Sequence, residues 1–233
     1  MNSVISEKGS REINEDSFCI SESANKKIYM AADGCGGHSS GEIASKLATE
    51  ILLELFLDCD DSADSIREAV NLCNRQMLEK QSAYPGMRTT IVGLLKLKDK
   101  FWAFNVGDSR LYQVRDGKIV FQTDDHSVPY ILYKADIIER NDINTHEDRN
   151  KLLEALGNKD KVKVNVYELD VKCDDVFVIA TDGFWEHFYD NDFSNCLRNH
   201  ESAWLCEKKQ AIGMADDPEQ DNYTAVIVGG IYE

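Results

Sequence analysis

Helices packed against several antiparallel strands, an α+β sandwich, is the fold class this sequence predicts. Three patterns carry that reading. Short apolar runs of strand length, bounded by turn residues, recur from residue 28 to residue 228. Two amphipathic helix patterns follow one another between residues 39 and 77. Residues 88–122 then read as a meander whose strands are joined by polar turns.

In chain order, residues 3–8 and 17–22 read as short strands flanking the charged cluster from Arg11 to Asp16. The apolar run 28–32 is a buried strand by its length and bounds, ending in Asp33 and the glycines Gly34, Gly36 and Gly37. Ser39 and Glu42 have capping-box spacing, and Ile43, Ala44, Leu47, Ala48, Ile51, Leu52 and Leu55 mark the apolar face of a first helix. After the acidic linker 58–61, Ile66, Val70, Cys73 and Met77 lie on one side of a second.

The meander runs through 90–95, 101–106, 111–114 and 118–121, with a polar turn at 98–100. Asp116-Gly117 is a hairpin turn of the primed type, so Asp116 is not counted among ligand candidates. Residues 125–160 are polar, and Leu152, Leu153 and Leu156 before Gly157 predict a short helix stopped by glycine. Strands resume at 162–170 and 176–181. Residues 190–199 and 202–215 read as helices, with Phe193, Leu197, Trp204, Leu205 and Ile212 as core contacts. Asp216, Asp217 and Pro218 break the second of these before a last strand at 223–228.

Four of the strand-like runs carry an aspartate at one end: Asp33, Asp108, Asp182 and Asp221. One Asp-Gly alone is an ordinary turn dipeptide. If the four ends converge, their carboxylates repel and are costly to ionise. A hard divalent cation removes that difficulty, and an all-oxygen donor set selects Mg²⁺ or Mn²⁺ over zinc.

Seven segments then stand in order: residues 9–16, which include Arg11, Glu15 and Asp16; 32–38 with Gly41 and Glu42; 86–90; 105–110; 125–127; 180–183; and 221–224. In these the chain resembles the metal-dependent protein serine/threonine phosphatases of type 2C, the PPM family, in their compact bacterial form. The resemblance runs from about residue 9 to about residue 228. It implies two packed antiparallel sheets flanked by helices on both faces, with a variable flap near 125–160. It implies two Mn²⁺ or Mg²⁺ ions and a weaker third. Asp33 would serve both main ions, the Gly34 carbonyl one of them, and Asp182 and Asp221 the other. Glu15 would stand in the outer shell, and Asp108 with Asp182 would hold the third ion. Arg11 would grip phosphate with its planar fork of donors. Arg11, Asp33 and Asp182 are thus the expected catalytic residues, and phosphorylated proteins the substrates.

Two positions depart from the family pattern. Eukaryotic members have a histidine, assigned as general acid, where this chain has Cys35, and bacterial relatives commonly have methionine there. His38 is a weaker acid candidate. Arg88 stands where many relatives have glycine before the Thr-Thr pair, a change that is either neutral or adds a cation near the cleft. A different reading of the same fold is a catalytically silent phosphoprotein-binding module; retention of Asp33, Asp182 and Asp221 speaks against it.

Length and composition set the frame. At 233 residues the chain is expected to be one domain, 1–233, and a monomer. Hydrophobic residues make up 42%, enough for a sizeable core. A net charge of −16, from 42 acidic and 26 basic residues, argues against nucleic acid or an anionic membrane as partner. It also means that local cations must overcome the global field to attract a phosphate. No apolar run reaches membrane-spanning length, the first residues do not resemble a signal peptide, and seven scattered cysteines lack a C-x-x-C pair. A reduced, cytoplasmic protein is the expectation.

Overall fold

A computed structural model of the chain describes residues 2–36, 40–198, 200–215 and 217–232. The elements in order are β1 (Asn2–Glu7), β2 (Asp16–Glu22), β3 (Lys26–Cys35), α1 (Ser40–Asp58), α2 (Ala63–Lys80), β4 (Arg88–Thr89), β5 (Ile91–Leu97), β6 (Lys100–Val106), β7 (Arg110–Arg115) and β8 (Lys118–Gln122). There follow α3 (Val128–Lys134), a 3-10 turn at Arg140–Thr145, β9 (Asn165–Leu169), β10 (Val176–Ala180), α4 (Asp182–Trp185), a 3-10 turn at Asp190–Phe193, α5 (Glu201–Met214) and β11 (Tyr223–Gly229). One antiparallel sheet has the order β1-β11-β10-β7-β8; the other runs β2-β3-β5-β6-β9, with β4 paired to β3.

The sheets stack face to face, and helices cover both outer faces, as expected. Strand side chains therefore alternate between two dry environments. On β3, Ile28, Met30 and Ala32 pack against the α1 and α2 layer, while Tyr29 and Ala31 face the other sheet. On β10, Phe177 and Ile179 point between the sheets, and Val176, Val178 and Ala180 join the layer containing Trp204, Leu205 and Ile212 of α5. Burial on both faces explains why these strands read as unbroken apolar runs.

On α2, Ile66, Val70, Cys73 and Met77 are all buried, and the Ser62 side chain caps the helix by accepting from Ser65 N at 3.2 Å. The expected face of α1 is rotated. Its buried stripe is Ala44, Ser45, Ala48, Thr49, Ile51, Leu52 and Phe56, whereas Ile43, Leu47 and Leu55 are only partly buried along its edge. Small and hydroxyl side chains let the helix lie close on β2 and β3: Ser45 Oγ donates to Glu15 O at 2.6 Å, and Thr49 Oγ1 meets Ser17 Oγ at 3.2 Å. The expected Ser39 cap lies outside the described residues. At the other end no basic residue stands in the last turn of α1. Lys26 of β3 supplies the charge instead, its Nζ donating to the carbonyls of Phe56, Leu57 and Cys59 at 3.1, 2.6 and 2.9 Å.

Three further expectations are corrected. The meander does not stay in one sheet: β6 ends at Val106 beside Ile91, and β7 begins at Arg110 beside Ala180 of the other sheet. Gly107, at φ 102°, makes that corner possible. Residues 151–157 form no helix. Ser127 and Leu152 form an isolated bridge, as do Thr89 and Leu156, the latter pair exchanging backbone bonds of 3.2 and 2.9 Å. Strand-like partners thus claim the donors a helix would need. Among the described residues of the 190–199 stretch there is only the 3-10 turn, and Leu197 is 40% exposed rather than in the core. The primed turn is as expected, with Asp116 and Gly117 at φ 51° and 70°.

One buried ion pair braces the corner after β6. Arg110 donates from Nε and Nη2 to Asp125, the shortest bond being 2.7 Å, and its guanidinium stacks 3.3 Å from the centre of the Trp185 ring. Trp185 Nε1 in turn donates to the Asp108 carbonyl at 3.0 Å. Removing one member of a buried pair strands the other charge. Asp125→Asn is therefore expected to lower the unfolding free energy by about 3–5 kcal/mol, read as a lower urea midpoint at unchanged slope. The paired replacement Arg110→Met with Asp125→Leu should recover most of it. A single variant as stable as the parent would show the pair to be dispensable.

Candidate active site

Every candidate site residue comes to one end of the sandwich. Arg11, Glu15, Asp33, Gly34, Asp108, Asp182 and Asp221 line a single cleft of about 390 Å³ together with Cys35 and, from the polar 125–160 stretch, Asn150 and Leu152. Asp33 lies near the end of β3, which continues to Cys35 rather than stopping at the aspartate. Asp108 sits at the corner between the sheets. Asp182 is the first residue of α4, separated from β10 by one residue, and Asp221 precedes β11. His38 lies outside the described residues.

Hydroxyl and amide groups hold these backbones in place. Asp33 N donates to Thr90 Oγ1 at 3.0 Å, and Asp33 O accepts from Thr90 N at 2.9 Å and Thr89 Oγ1 at 2.8 Å. Thr90 Oγ1 also meets Ser109 Oγ at 2.6 Å, which couples the Asp33 strand to the residue after Asp108. Asn222 fastens the loop that carries Arg11: its Nδ2 donates to Lys8 O and Ile13 O at 2.8 and 3.0 Å, and its Oδ1 accepts from Glu15 N at 2.8 Å. Gly34 and Gly41 allow β3 and the start of α1 to touch. A Cβ on Gly34 would lie 2.1 Å from Gly41 O, and one on Gly41 would lie 2.6 Å from Glu15 Oε1.

The electrostatics follow from crowding. Burial pushes Asp33 and Asp108 well above the usual carboxylate range, with Asp182 the first neighbouring charge to add to each shift. Asp182 is pushed up to about 6 by burial and by Asp221. Burial also raises Glu15, while the backbone N–H groups of Gly41 and Glu42 at the start of α1 pull it back. Two acidic residues that the sequence reading gave no role belong to the same field. Asp16, opposite Asp33 in the β2–β3 register, accepts from Thr181 Oγ1 at 2.8 Å and is pushed up to about 8, chiefly by burial. Glu186, one turn after Asp182, is pushed up to about 8 by burial and by Asp182. Asp16 could have been suspected from its place beside Glu15; nothing in the sequence marks Glu186.

The donor set suits a hard cation. It is all oxygen apart from Cys35, whose thiol burial and the Asp33 charge push up, making it a poor ligand. Asp108 Oδ1 and Asp16 Oδ1 are buried without a hydrogen-bond partner. Among the described residues, however, no three His, Cys, Asp or Glu side chains stand close enough to hold an ion as placed. Two carboxylates are turned aside. Asp221 Oδ2 accepts from Arg11 Nη2 at 2.9 Å and its Oδ1 from Asn222 N, while Asp182 Oδ1 accepts from Gly183 N at 2.7 Å. The residues fit divalent ions in donor chemistry, with those two side chains having to turn toward the ion.

The family model for protein phosphatase 2C matches residues 6–216. The chain belongs to the protein phosphatase 2C family. Serine/threonine phosphatase stp of Listeria welshimeri is 29% identical over 230 residues, covering 94% of this chain and 90% of that protein. The solved PPM Ser-Thr phosphatase MsPP from Mycobacterium smegmatis is 25% identical with a TM-score of 0.83, covering 98% of this chain and 97% of its own. Serine/threonine phosphatase Stp1 from Staphylococcus aureus is similar at 25% identity and a TM-score of 0.82, covering 97% and 92%.

In this member of the phosphatase 2C family a second cleft of about 430 Å³ adjoins the first across Arg11, Asn150, Asp182 and Asp221, and adds Arg149, Glu186 and His187. Arg149 Nε stands 3.8 Å from Glu186 Oε2. Among the described residues no helix is long and apolar enough to cross a membrane.

The raised carboxylates make a prediction about the metal-free protein. A folded-state pKa raised above its unfolded value means that the native state binds more protons between the two, so stability falls as pH rises from the unfolded value to the folded one. Asp16 and Glu186, raised from 3.8 and 4.5 to about 8, place that loss between about pH 4 and pH 8. In EDTA the melting temperature should drop by several degrees over that range, and Asp16→Asn should shrink the drop. A flat profile would contradict the crowding described above.

Proposed function

We propose that the chain hydrolyses phosphoserine and phosphothreonine in proteins, using two divalent cations, Mn²⁺ or Mg²⁺, and a weaker third. The reading extends to its organisation: one catalytic domain, with residues 125–160 as a flap. The observation that carries it is the meeting of four strand-end aspartates with Arg11 in one cleft. Family membership and the named phosphatase relatives support the substrate class.

Asp33 would be shared by the two main ions, the Gly34 carbonyl would serve one, and Asp182 and Asp221 the other. Glu15 would act from the outer shell, and Asp108 with Asp182 would hold the third. When bound, such ions neutralise phosphate charge and lower the pKa of a water, both of which phosphomonoester hydrolysis requires. The chain's own residues bind and orient. Arg11, its side chain 56% exposed at the cleft, can release Asp221 and donate two parallel N–H bonds to a phosphate. The Thr89, Thr90 and Ser109 hydroxyls keep the Asp33 and Asp108 backbones fixed relative to each other. Cys35 is assigned no acid role in this account.

The test is hydrolysis of p-nitrophenyl phosphate and of a phosphopeptide, with and without MnCl₂. Turnover should require the metal and stop with EDTA. Asp33→Asn or Asp182→Ala should remove nearly all of it with circular dichroism unchanged; full activity in either would falsify the dinuclear reading. Phosphopeptide binding with no turnover under any metal would instead favour the silent binding module.

Smaller effects separate the roles. Asp108→Ala should retain tight metal binding by calorimetry, lose only the weak phase and slow turnover. Arg11→Ala should raise KM roughly ten- to a hundredfold, the value of bonds to a charged group, and Arg11→Lys should recover only part. Cys35→Ser should change turnover by less than about tenfold, below the range typical of acid–base groups. Loss of the tight phase in Asp108→Ala, or a silent Arg11→Ala, would displace those assignments.

A further inference from the structure

Beside the catalytic cleft lies a third cavity, of about 430 Å³, that the proposed chemistry does not use. It shares Cys35, Asn150 and Leu152 with the cleft, so the two open into one another. Its further walls are aliphatic: Val128, Leu153 and Ala155, with Leu153 40% exposed. Its cations differ in availability. Lys151 is engaged by Asp148 at 2.7 Å, and the cavity's one carboxylate, Glu154, is engaged by Lys159 at 2.7 Å. Arg88 is exposed and has no carboxylate partner among the described residues. Its backbone pairs with Cys35 across β3 and β4, which fixes the guanidinium's root at the boundary between cavity and cleft.

We propose that this cavity is a substrate subsite for a glutamate side chain one or two residues from the phosphorylated serine or threonine, with Arg88 as its specificity-determining residue. The inference rests on the phosphoprotein reading above and adds a preference to it. The chemistry of the walls selects the occupant. A glutamate's two methylenes suit Leu152, Leu153, Val128 and Ala155, and its carboxylate meets the uncommitted cation. Shared walls put the pocket within the reach of a near neighbour, since an extended chain advances about 3.3–3.6 Å per residue. On a chain of net charge −16, an acidic peptide is otherwise repelled, so Arg88, without a carboxylate partner among the described residues, decides where such a peptide can settle beside the cleft.

The experiment compares phosphothreonine peptides that carry Glu, Gln or Lys at each position within two residues of the phosphorylated one, with manganese present. For the parent chain, kcat/KM should favour Glu over Lys at one such position by about three- to tenfold at low salt, the scale of an exposed ion pair set against a repulsion, and the preference should shrink as NaCl is added. Arg88→Gln should erase the preference, and Arg88→Glu should invert it. Turnover of p-nitrophenyl phosphate, which lacks a peptide, should be the same in all three proteins. Identical peptide preferences in the parent and Arg88→Glu, with p-nitrophenyl phosphate hydrolysed normally, would overturn the subsite and leave the phosphatase reading standing. No hydrolysis of any substrate by the parent would overturn both.

Discussion

Like charges crowd one end of this molecule, and much of the surrounding structure is arranged to tolerate them. Asp16, Asp33, Asp108 and Asp182 are carried on or beside strand ends, deep enough for burial to dominate their ionisation. Desolvating each carboxylate costs several kcal/mol unless an opposite charge or a set of donors offsets it. The protein offers partial compensation from hydroxyls, from the first amides of α1 and from Arg11. The remainder is borne by the layered interior, where strands are dry on both faces and bury far more apolar surface than a half-exposed sheet could.

Rigidity of the scaffold decides how well such a site keeps its shape. The backbones bearing Asp33 and Asp108 belong to different sheet regions, yet the Thr90 and Ser109 hydroxyls tie them together. The loop with Arg11 is fastened by Asn222, which makes three hydrogen bonds to it, and by the Ser10 N bond to Gln220 O at 2.9 Å. The polar stretch after β8 is pinned by Asn74 and Gln81 of the α2 region, which bond Gly157 through N at 2.8 Å and O at 2.6 Å. Apart from the Thr90–Ser109 hydroxyl pair and the Ser10–Gln220 backbone bond, these are side chain to backbone contacts.

Much of this was legible in the sequence, for a physical reason. An apolar run that ends in an aspartate states both the burial of a strand and the presence of a carboxylate at its rim, and four such runs disclosed the cleft. The second helix was legible because its large apolar residues sit at clean helical spacing. The first was misread because Ser45 and Thr49 face the sheet, and hydrophobicity does not register a small hydroxyl residue that packs tightly. Leu152, Leu153 and Leu156 imitate a helix, but Ser127 and Thr89, distant in sequence, take that segment as strand partners. The sheet change at Gly107 looks like any hairpin turn until the partners of β6 and β7 are known. Arg110 and Asp125 are invisible as a pair, because nothing local tells a buried charge from a solvated one.

The pairing of β1 with β11 has a consequence for the order in which the molecule is made. Asn2 lies opposite Val228 and Glu7 opposite Tyr223, so the first strand waits for the last before it has a neighbour. Asp221 stands just ahead of that last strand, and the Asn222 clasp on the Arg11 loop comes with it. A chain emerging from the ribosome can build the α1, α2 and β3–β6 layer early from contacts close in sequence. It cannot close the cleft until Asp221 and β11 have been added. Catalytic competence thereby waits on β11, and a product truncated ahead of Asp221 would carry Asp33 and Asp108 without the partners that complete their setting.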